Sequence, residues 1–255
     1  MTTPVFPPEL GGPASFVPRF ASFLIEKGHA VSVLSYTDDP STVAGYPFPV
    51  SLVKRRWLPA RLLSFFVRCL RLAARCDIVV VCEHPALLSV LAARLLRRPV
   101  ALRVMVNPAW ELCYRFGLTR DDPERFASAR HGPAVRLIEK VQKLSMRRAD
   151  LVLAVSRHLA ETAARLGAAP ERIFVSYNLP PPPDGVFAAA RPEARRRLAI
   201  DAGRFDLLVV ARLVDWKGVD TVLSVLRELP DVYRLRVVGD GPDAPRLRKL
   251  ARTLG

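Results

Sequence analysis

The chain has 255 residues, half of them apolar and a quarter charged; this excludes a disordered protein and leaves room to bury the core of one large domain or two smaller ones. Lysine and arginine number 39 against 24 aspartates and glutamates, a net charge of +15, which fits nucleic acid, an anionic lipid surface or a phosphorylated small molecule as partner, or an arginine-rich bias spread over solvated faces. No stretch joins a basic start, an apolar segment and a small-residue cleavage site, and no window reaches the roughly 18 uncharged apolar residues of a spanning helix, so neither a secretory leader nor a membrane span is predicted.

From the amino terminus, Phe16–Lys27 is helical in its apolar spacing, and His29-Ala-Val-Ser-Val-Leu-Ser35 suits a buried strand. Asp77-Ile-Val-Val-Val-Cys82 reads as a strand, Ala86–Leu96 as a helix and Pro99–Val106 as a strand. Val135–Arg147 then reads as a helix, Leu151–Val155 as a strand, His158–Leu166 as a helix and Ile173–Ser176 as a strand. Strands separated by helices make βαβ units and a parallel sheet, so the fold class is α/β. Segments 38–60 and 107–133 read as variable loops.

The alternation stops at Asn178-Leu-Pro-Pro-Pro-Pro-Asp-Gly185, because four consecutive prolines can extend neither a helix nor a central strand. It resumes with strand Phe205–Ala211, helix Val219–Leu229, strand Arg234–Val238 and helix Ala244–Leu254. The chain therefore divides into an amino-terminal unit, 1–178, a linker, 179–204, and a carboxyl-terminal unit, 205–255. Both units are expected to be truncated. Only Met1-Thr-Thr-Pro4 precedes the first turn, so the strand expected there is missing, and the second unit has two strands where a typical domain has about 100–150 residues. Cys69, Cys76, Cys82 and Cys113 form no CxxC pair and no metal-ligand spacing with the histidines; they read as reduced core thiols of a cytoplasmic protein.

Three turns could carry chemistry. Gly11-Gly12 lies just before a helix beginning near Pro13, where backbone N–H groups and the positive end of the helix dipole can face an anion, although a Gly-Gly turn is also ordinary structure. Arg212 and Lys217 follow the apolar run Leu207-Leu-Val-Val-Ala211, at the carboxyl end of a parallel strand, where open α/β sheets bind ligands. Arginine offers a planar fork that matches phosphate oxygens and lysine a mobile point charge; the alternative is a pair of solvated loop cations. Gly239-Asp240-Gly241 ends the next strand, with glycines that would let backbone approach a nucleotide, though the pattern is common in turns.

Taken in order, Phe6-Pro-Pro-Glu-Leu-Gly-Gly-Pro13, Ala149-Asp-Leu-Val-Leu-Ala-Val-Ser156, Arg172-Ile-Phe-Val-Ser-Tyr-Asn178, Val210-Ala-Arg-Leu-Val-Asp-Trp-Lys-Gly-Val219 and Val237-Val-Gly-Asp-Gly-Pro242 resemble the retaining GT-B glycosyltransferases of group 1, or glycosyltransferase family 4. The resemblance runs from about Val5 to Gly255. It implies two Rossmann-like domains with parallel sheets facing each other across a cleft, the second of them incomplete here. A nucleotide-diphosphate sugar would be the donor substrate, held on the second domain, with no cofactor and no metal. Arg212 and Lys217 would clamp its diphosphate, Gly11 and Gly12 would approach from the opposite wall, and Gly239, Asp240 and Gly241 would form a loop on the nucleotide side. Two cations and aligned N–H groups would stabilise the leaving diphosphate. The family is thought to retain configuration by same-face attack, without the carboxylate pair of most retaining glycoside hydrolases.

Many members carry His or Asp just after the strand matching Pro99–Val106; here Asn107 stands there, able to hydrogen-bond a hydroxyl but not to take a proton. Asn107 and Glu111 are the catalytic candidates, with His84 as a further fallback. The family's pair of donor-sugar glutamates has no counterpart before Gly255, so this polypeptide alone is expected to be inactive.

Residues 54–75, if helical from Pro59, align Arg61, Ser64, Arg68, Arg71 and Arg75 in one basic stripe on an apolar cylinder. Such a helix could lie on an anionic leaflet, placing the protein at the inner face of the plasma membrane, or pack as a crossover helix with its stripe in solvent. With membrane contact, a glycan or lipid-linked acceptor follows. Nucleic acid is not expected as a partner, because the arginines are not interleaved with aromatics in a recognition element. The alternatives are another GT-B-like nucleotide-sugar enzyme, such as an epimerase, and a non-catalytic binding fragment.

Overall fold

The computed structural model of the protein describes residues 1–9, 11–38, 45–55, 57–82, 86–178, 191–200 and 203–254. The chain forms two compact units, Met1–Leu179 and Pro180–Gly255. In the first, strands β1 (Thr2–Thr3), β2 (Val33–Thr37), β3 (Val50–Lys54), β4 (Val79–Cys82), β5 (Val100–Val104), β6 (Leu151–Ala154) and β7 (Ile173–Val175) make one sheet in the order β3-β2-β1-β4-β5-β6-β7. Every pairing is parallel. The helices are α1 (Gly12–Glu26), α2 (Leu58–Ala73), α3 (Ala86–Leu95), α4 (Pro108–Arg115), α5 (Pro123–Ser128), α6 (Pro133–Arg148) and α7 (Arg157–Arg165).

From β1 the chain steps one way across the sheet to β2 and β3, then crosses back to β4 and continues the other way to β7. Right-handed crossovers therefore put α1 on one face and α2, α3, α6 and α7 on the other. The alternation of side chains along β2 agrees: Val33 packs with Val17 and Ala21 of α1, whereas Leu34 packs with Phe65 and Cys69 of α2 and Ala92 of α3. Under α3 and α6, Val81, Val90, Val100, Val104, Met146 and Val152 form the largest cluster. Asp150 ties the sheet's amino-terminal edge to this layer, accepting from Val100 N and from Arg94 at 2.8 Å each.

Three expectations change. The strand expected to be missing before the first turn is present as β1, whose Thr2 and Thr3 pair with Leu34 and Ser35 at the centre of the sheet. It carries hydroxyls rather than an apolar run, and its polarity is satisfied locally: Ser89 Oγ donates to Thr2 Oγ1 at 2.9 Å and Thr3 Oγ1 donates to Val5 O at 3.0 Å. Segment 38–60 holds β3 on the far side of β2, and segment 107–133 holds α4 and α5. Both of these helices open with a capping side chain followed by proline, Asn107-Pro108 and Asp122-Pro123, a start signal readable from sequence.

The second unit contains α8 (Arg191–Arg197), β8 (Phe205–Val210), a 3-10 turn at Asp215–Lys217, α9 (Val219–Leu226), β9 (Tyr233–Val238) and α10 (Ala244–Leu254). The helix α8 lies inside the segment read as linker, and Leu198 O just beyond it accepts from Arg236 at 3.4 Å. The proline run falls outside the described residues. Strands β8 and β9 pair in parallel, and Leu213, Val219, Ala244 and Leu247 form the core beside them. On the sheet, Asp206 accepts from Arg234 Nε at 2.9 Å and Arg236 Nε at 2.7 Å. The hydrogen bonds from Arg234 and then Arg236 hold its carboxyl down at about 2, below the usual 3.8. Its stabilising effect is complete above the unfolded value and is lost as pH falls through the folded one. Protection of the β8 and β9 amides, taken relative to the intrinsic exchange rate at each pH, should fall between about pH 4 and about pH 2 in the wild type, and Asp206→Asn should already be less protected at neutral pH and lose that step.

Candidate active site

In the second unit, β8 runs out at Val210, and the backbone of the loop beyond it is pinned to the loop beyond β9: Ala211 N donates to Val238 O at 3.1 Å, Leu213 N to Asp240 O at 2.9 Å and Asp243 N to Leu213 O at 3.1 Å. With Leu213 and Val214 buried as anchors, Arg212 and Lys217 are left exposed on either side of them. The 3-10 turn ends on Gly218, whose φ of 65° is the left-handed conformation that glycine adopts without a Cβ penalty, and the chain turns there into α9. Neither Arg212 nor Lys217 pairs with a carboxylate among the described residues, so both charges are available at the carboxyl end of the strand. Close by, Arg246 of α10 binds Asp220 of α9 at 2.9 Å and Asp243 at 2.6 Å, which locks the starts of the two helices together.

Gly239 and Gly241 are explained by this zipper. A Cβ on Gly239 would lie 1.9 Å from Ala211 O, and one on Gly241 would lie 2.2 Å from Leu213 O. The backbone that approaches them is that of the neighbouring loop. Asp240 turns its side chain onto the chain itself, its Oδ1 accepting from Gly241 N at 2.8 Å.

In the first unit, Gly11 caps α1 without a side chain to offer, and Gly12 and Pro13 open the helix, so the N–H groups of Gly12 and Ala14 have no intrahelical partner. Gly11 and Gly12 are exposed at the carboxyl edge of the sheet, beside the point where the strand order reverses between β1 and β4. A Cβ on Gly12 would come 2.9 Å from Met105 Cε, so this turn lies against the loop that leaves β5 towards Asn107. Asn107 caps α4: its Oδ1 accepts from Trp110 N at 3.3 Å and from Gln142 Nε2 at 3.2 Å. Glu111, in the first turn of α4, faces Arg115 at 3.4 Å and is partly exposed. His84 lies outside the described residues.

Two residues here are not among the sequence-predicted ones. Arg103, near the end of β5, is only 3% exposed; its guanidinium lies 3.8 Å from the Phe16 ring centroid of α1 and donates to Asn178 Oδ1 at 2.6 Å. A lone arginine within the apolar strand Val100-Ala-Leu-Arg-Val104 is the signal that could have found it. Gln142 is 4% exposed in the middle of α6 and lines a small interior cavity with Arg103 and Pro108. Its Oε1 has no partner among the described residues.

Among the described residues no group of three or more His, Cys, Asp or Glu side chains could hold a metal ion, and no helix is long and apolar enough to cross a membrane.

Two parallel-sheet units, one with a glycine turn at the head of a helix and the other with a pair of exposed cations beyond a strand, agree with the family comparison. Residues 10–182 match the family model for Glycosyltransferase Family 4 and residues 190–255 that for Glycosyl transferases group 1. The chain belongs to glycosyltransferase family 4, and its fold is of the GT-B type. Among solved structures it is similar to Anabaena Alr3699/HepE in complex with UDP and glucose, at 18% identity and a TM-score of 0.69, covering 100% of this chain and 65% of that one. WaaG, a glycosyltransferase involved in lipopolysaccharide biosynthesis, gives 18% identity and a TM-score of 0.65, covering 100% and 66%. A glycosyltransferase from Rickettsia africae gives 16% and 0.60, covering 99% and 64%. The chain thus spans about 65% of the length of the first of these structures. No curated protein matches it.

Proposed function

We propose that this chain binds a nucleotide-diphosphate sugar and serves its transfer, with retention and without a metal, to a glycan or lipid-linked acceptor. The observation that carries the reading is the exposed pair Arg212 and Lys217, without a carboxylate partner among the described residues, held by two pinned loops at the carboxyl end of a parallel strand. As a glycosidic bond breaks, negative charge gathers on the departing diphosphate; a bidentate guanidinium and a mobile ammonium can stabilise it there. HepE has been crystallised with UDP-glucose, which supports a donor of that kind. The Gly11-Gly12 turn supplies N–H groups for an oxyanion. Asn107 and Glu111 stand together at the head of α4 on the acceptor unit, Glu111 with a carboxylate to offer and Asn107 with an amide.

Within residues 54–75, α2 and the turn that follows it leave Ser64, Arg68, Arg71 and Arg75 exposed, outside the buried Phe65, Cys69 and Ala73. This arrangement supports a peripheral position on an anionic leaflet and, with it, a lipid-linked acceptor.

Titration calorimetry of the chain with UDP, GDP and ADP, with and without EDTA, is the test. One diphosphate should bind, its monophosphate more weakly, and EDTA should leave the affinity unchanged. Equal binding of mono- and diphosphate, or none of either, removes the donor site from Arg212 and Lys217.

A further inference from the structure

The cations of residues 54–75 are partly engaged inside the protein. Arg55 pairs with Glu9 at 2.8 Å and Asp38 at 2.9 Å, Arg61 lies over the Tyr36 ring at 5.5 Å, and Arg68 donates to Leu52 O at 2.9 Å. The helix α6 is different. Arg136, Lys140, Lys143 and Arg147 recur at four-, three- and four-residue steps, which sets them in one strip along the helix. All four are exposed, and none pairs with a carboxylate among the described residues. Along the border of the strip, Leu137 is 63% and Leu144 37% exposed, while Val135, Gln142, Ser145 and Met146 on the other side are buried.

This strip belongs to a layer. Helices α2, α3 and α6 share one face of the sheet, with α3 packed against both of the others, and α3 carries no acidic residue. A bare row of cations would suit any polyanion. Two leucines standing in water beside it add a preference for a surface that can take them up, which a phosphodiester backbone cannot and the headgroup region of a bilayer can.

We propose that the outer strip of α6, within the α2–α3–α6 layer, is the principal docking surface for an anionic lipid bilayer. It rests on the reading that this chain works at a membrane, and it moves the main contact from α2 to α6.

The test is co-sedimentation of the whole 255-residue chain with phosphatidylcholine vesicles, with and without phosphatidylglycerol, at low and high salt. The wild type should bind only the anionic vesicles. Replacing Arg136, Lys140, Lys143 and Arg147 together by Gln should weaken binding about 100-fold, whereas Arg68, Arg71 and Arg75 replaced together by Gln should weaken it less than about tenfold. Leu137→Ser with Leu144→Ser should leave binding that high salt abolishes. All substituted side chains are exposed, and circular-dichroism melts matching the wild type certify the fold.

If the α6 variant binds like the wild type and the α2 variant does not, the α6 assignment falls while the membrane reading stands. If the wild type ignores anionic vesicles at low salt, both fall. Binding to random oligonucleotides, lost in the α6 variant and accompanied by no vesicle binding, would make the strip a nucleic-acid face instead.

Discussion

Arg212→Ala is expected to weaken nucleoside diphosphate binding about 100-fold while leaving the unfolding midpoint unchanged. A guanidinium sharing two hydrogen bonds with a phosphate contributes roughly 3 kcal/mol when both partners are charged, and among the described residues Arg212 has no carboxylate partner that its removal would disturb. Lys217→Ala should weaken binding less, about tenfold, because a single ammonium on a flexible stem gives one charge and no fixed fork. If both side chains hold the same diphosphate, the double variant will fall short of the product of the two single effects. Arg212→Lys is informative for the same reason: charge is kept, the fork is lost, and most of the loss should remain. Calorimetry at two salt concentrations checks all four variants, and an Arg212→Ala protein that binds as tightly as the wild type would show that the diphosphate lies elsewhere.

The second large effect is on stability. Gly239→Ala is expected to destabilise the second unit by about 3 kcal/mol or more, because the new Cβ would fall 1.9 Å from Ala211 O, on backbone that cannot swing aside, at a φ of 150°. Relief requires the two loops to part, breaking the bonds from Ala211 N and Leu213 N that hold Arg212 in place. The same variant should therefore lose nucleotide affinity even where it remains folded. Gly203→Ala is the control: its Cβ would meet nothing within 4 Å, so no comparable loss is expected. Urea unfolding followed by amide exchange of β8 and β9 separates the second unit's transition from the first unit's. An unshifted transition in Gly239→Ala would mean that the loops pack differently in solution.

Much of the fold was legible because buried parallel strands are long apolar runs and their crossover helices have a clear 3.6 period. β4 to β9 and α6, α7, α9 and α10 sit where those patterns place them to within a few residues. β1 was not legible, since a two-residue threonine strand has no hydrophobic signature and takes its place only when Leu34 and Ser35 are there to pair with it. β3 lay hidden at the sheet edge, where Val50–Lys54 is partly exposed and its alternation muted. For the site, the exposed cations after β8 could be read from local order, because a charge just past an apolar run announces itself. Arg103 and Gln142 could not be assigned roles in that way: what matters is which residue from another element lies against them, Phe16 and Asn178 for one and Asn107 for the other. The glycines at 239 and 241 show the converse, conspicuous residues whose cause is steric contact with a distant segment.

Gln142 and the strip Arg136–Arg147 occupy opposite sides of one four-turn rod. Its inward amide meets Asn107 Oδ1 at 3.2 Å, with little slack before such a contact ceases to hold. That bond ties the middle of α6 to the cap of α4, so the rod whose outer strip is proposed as a docking face also holds the start of the helix that carries Glu111.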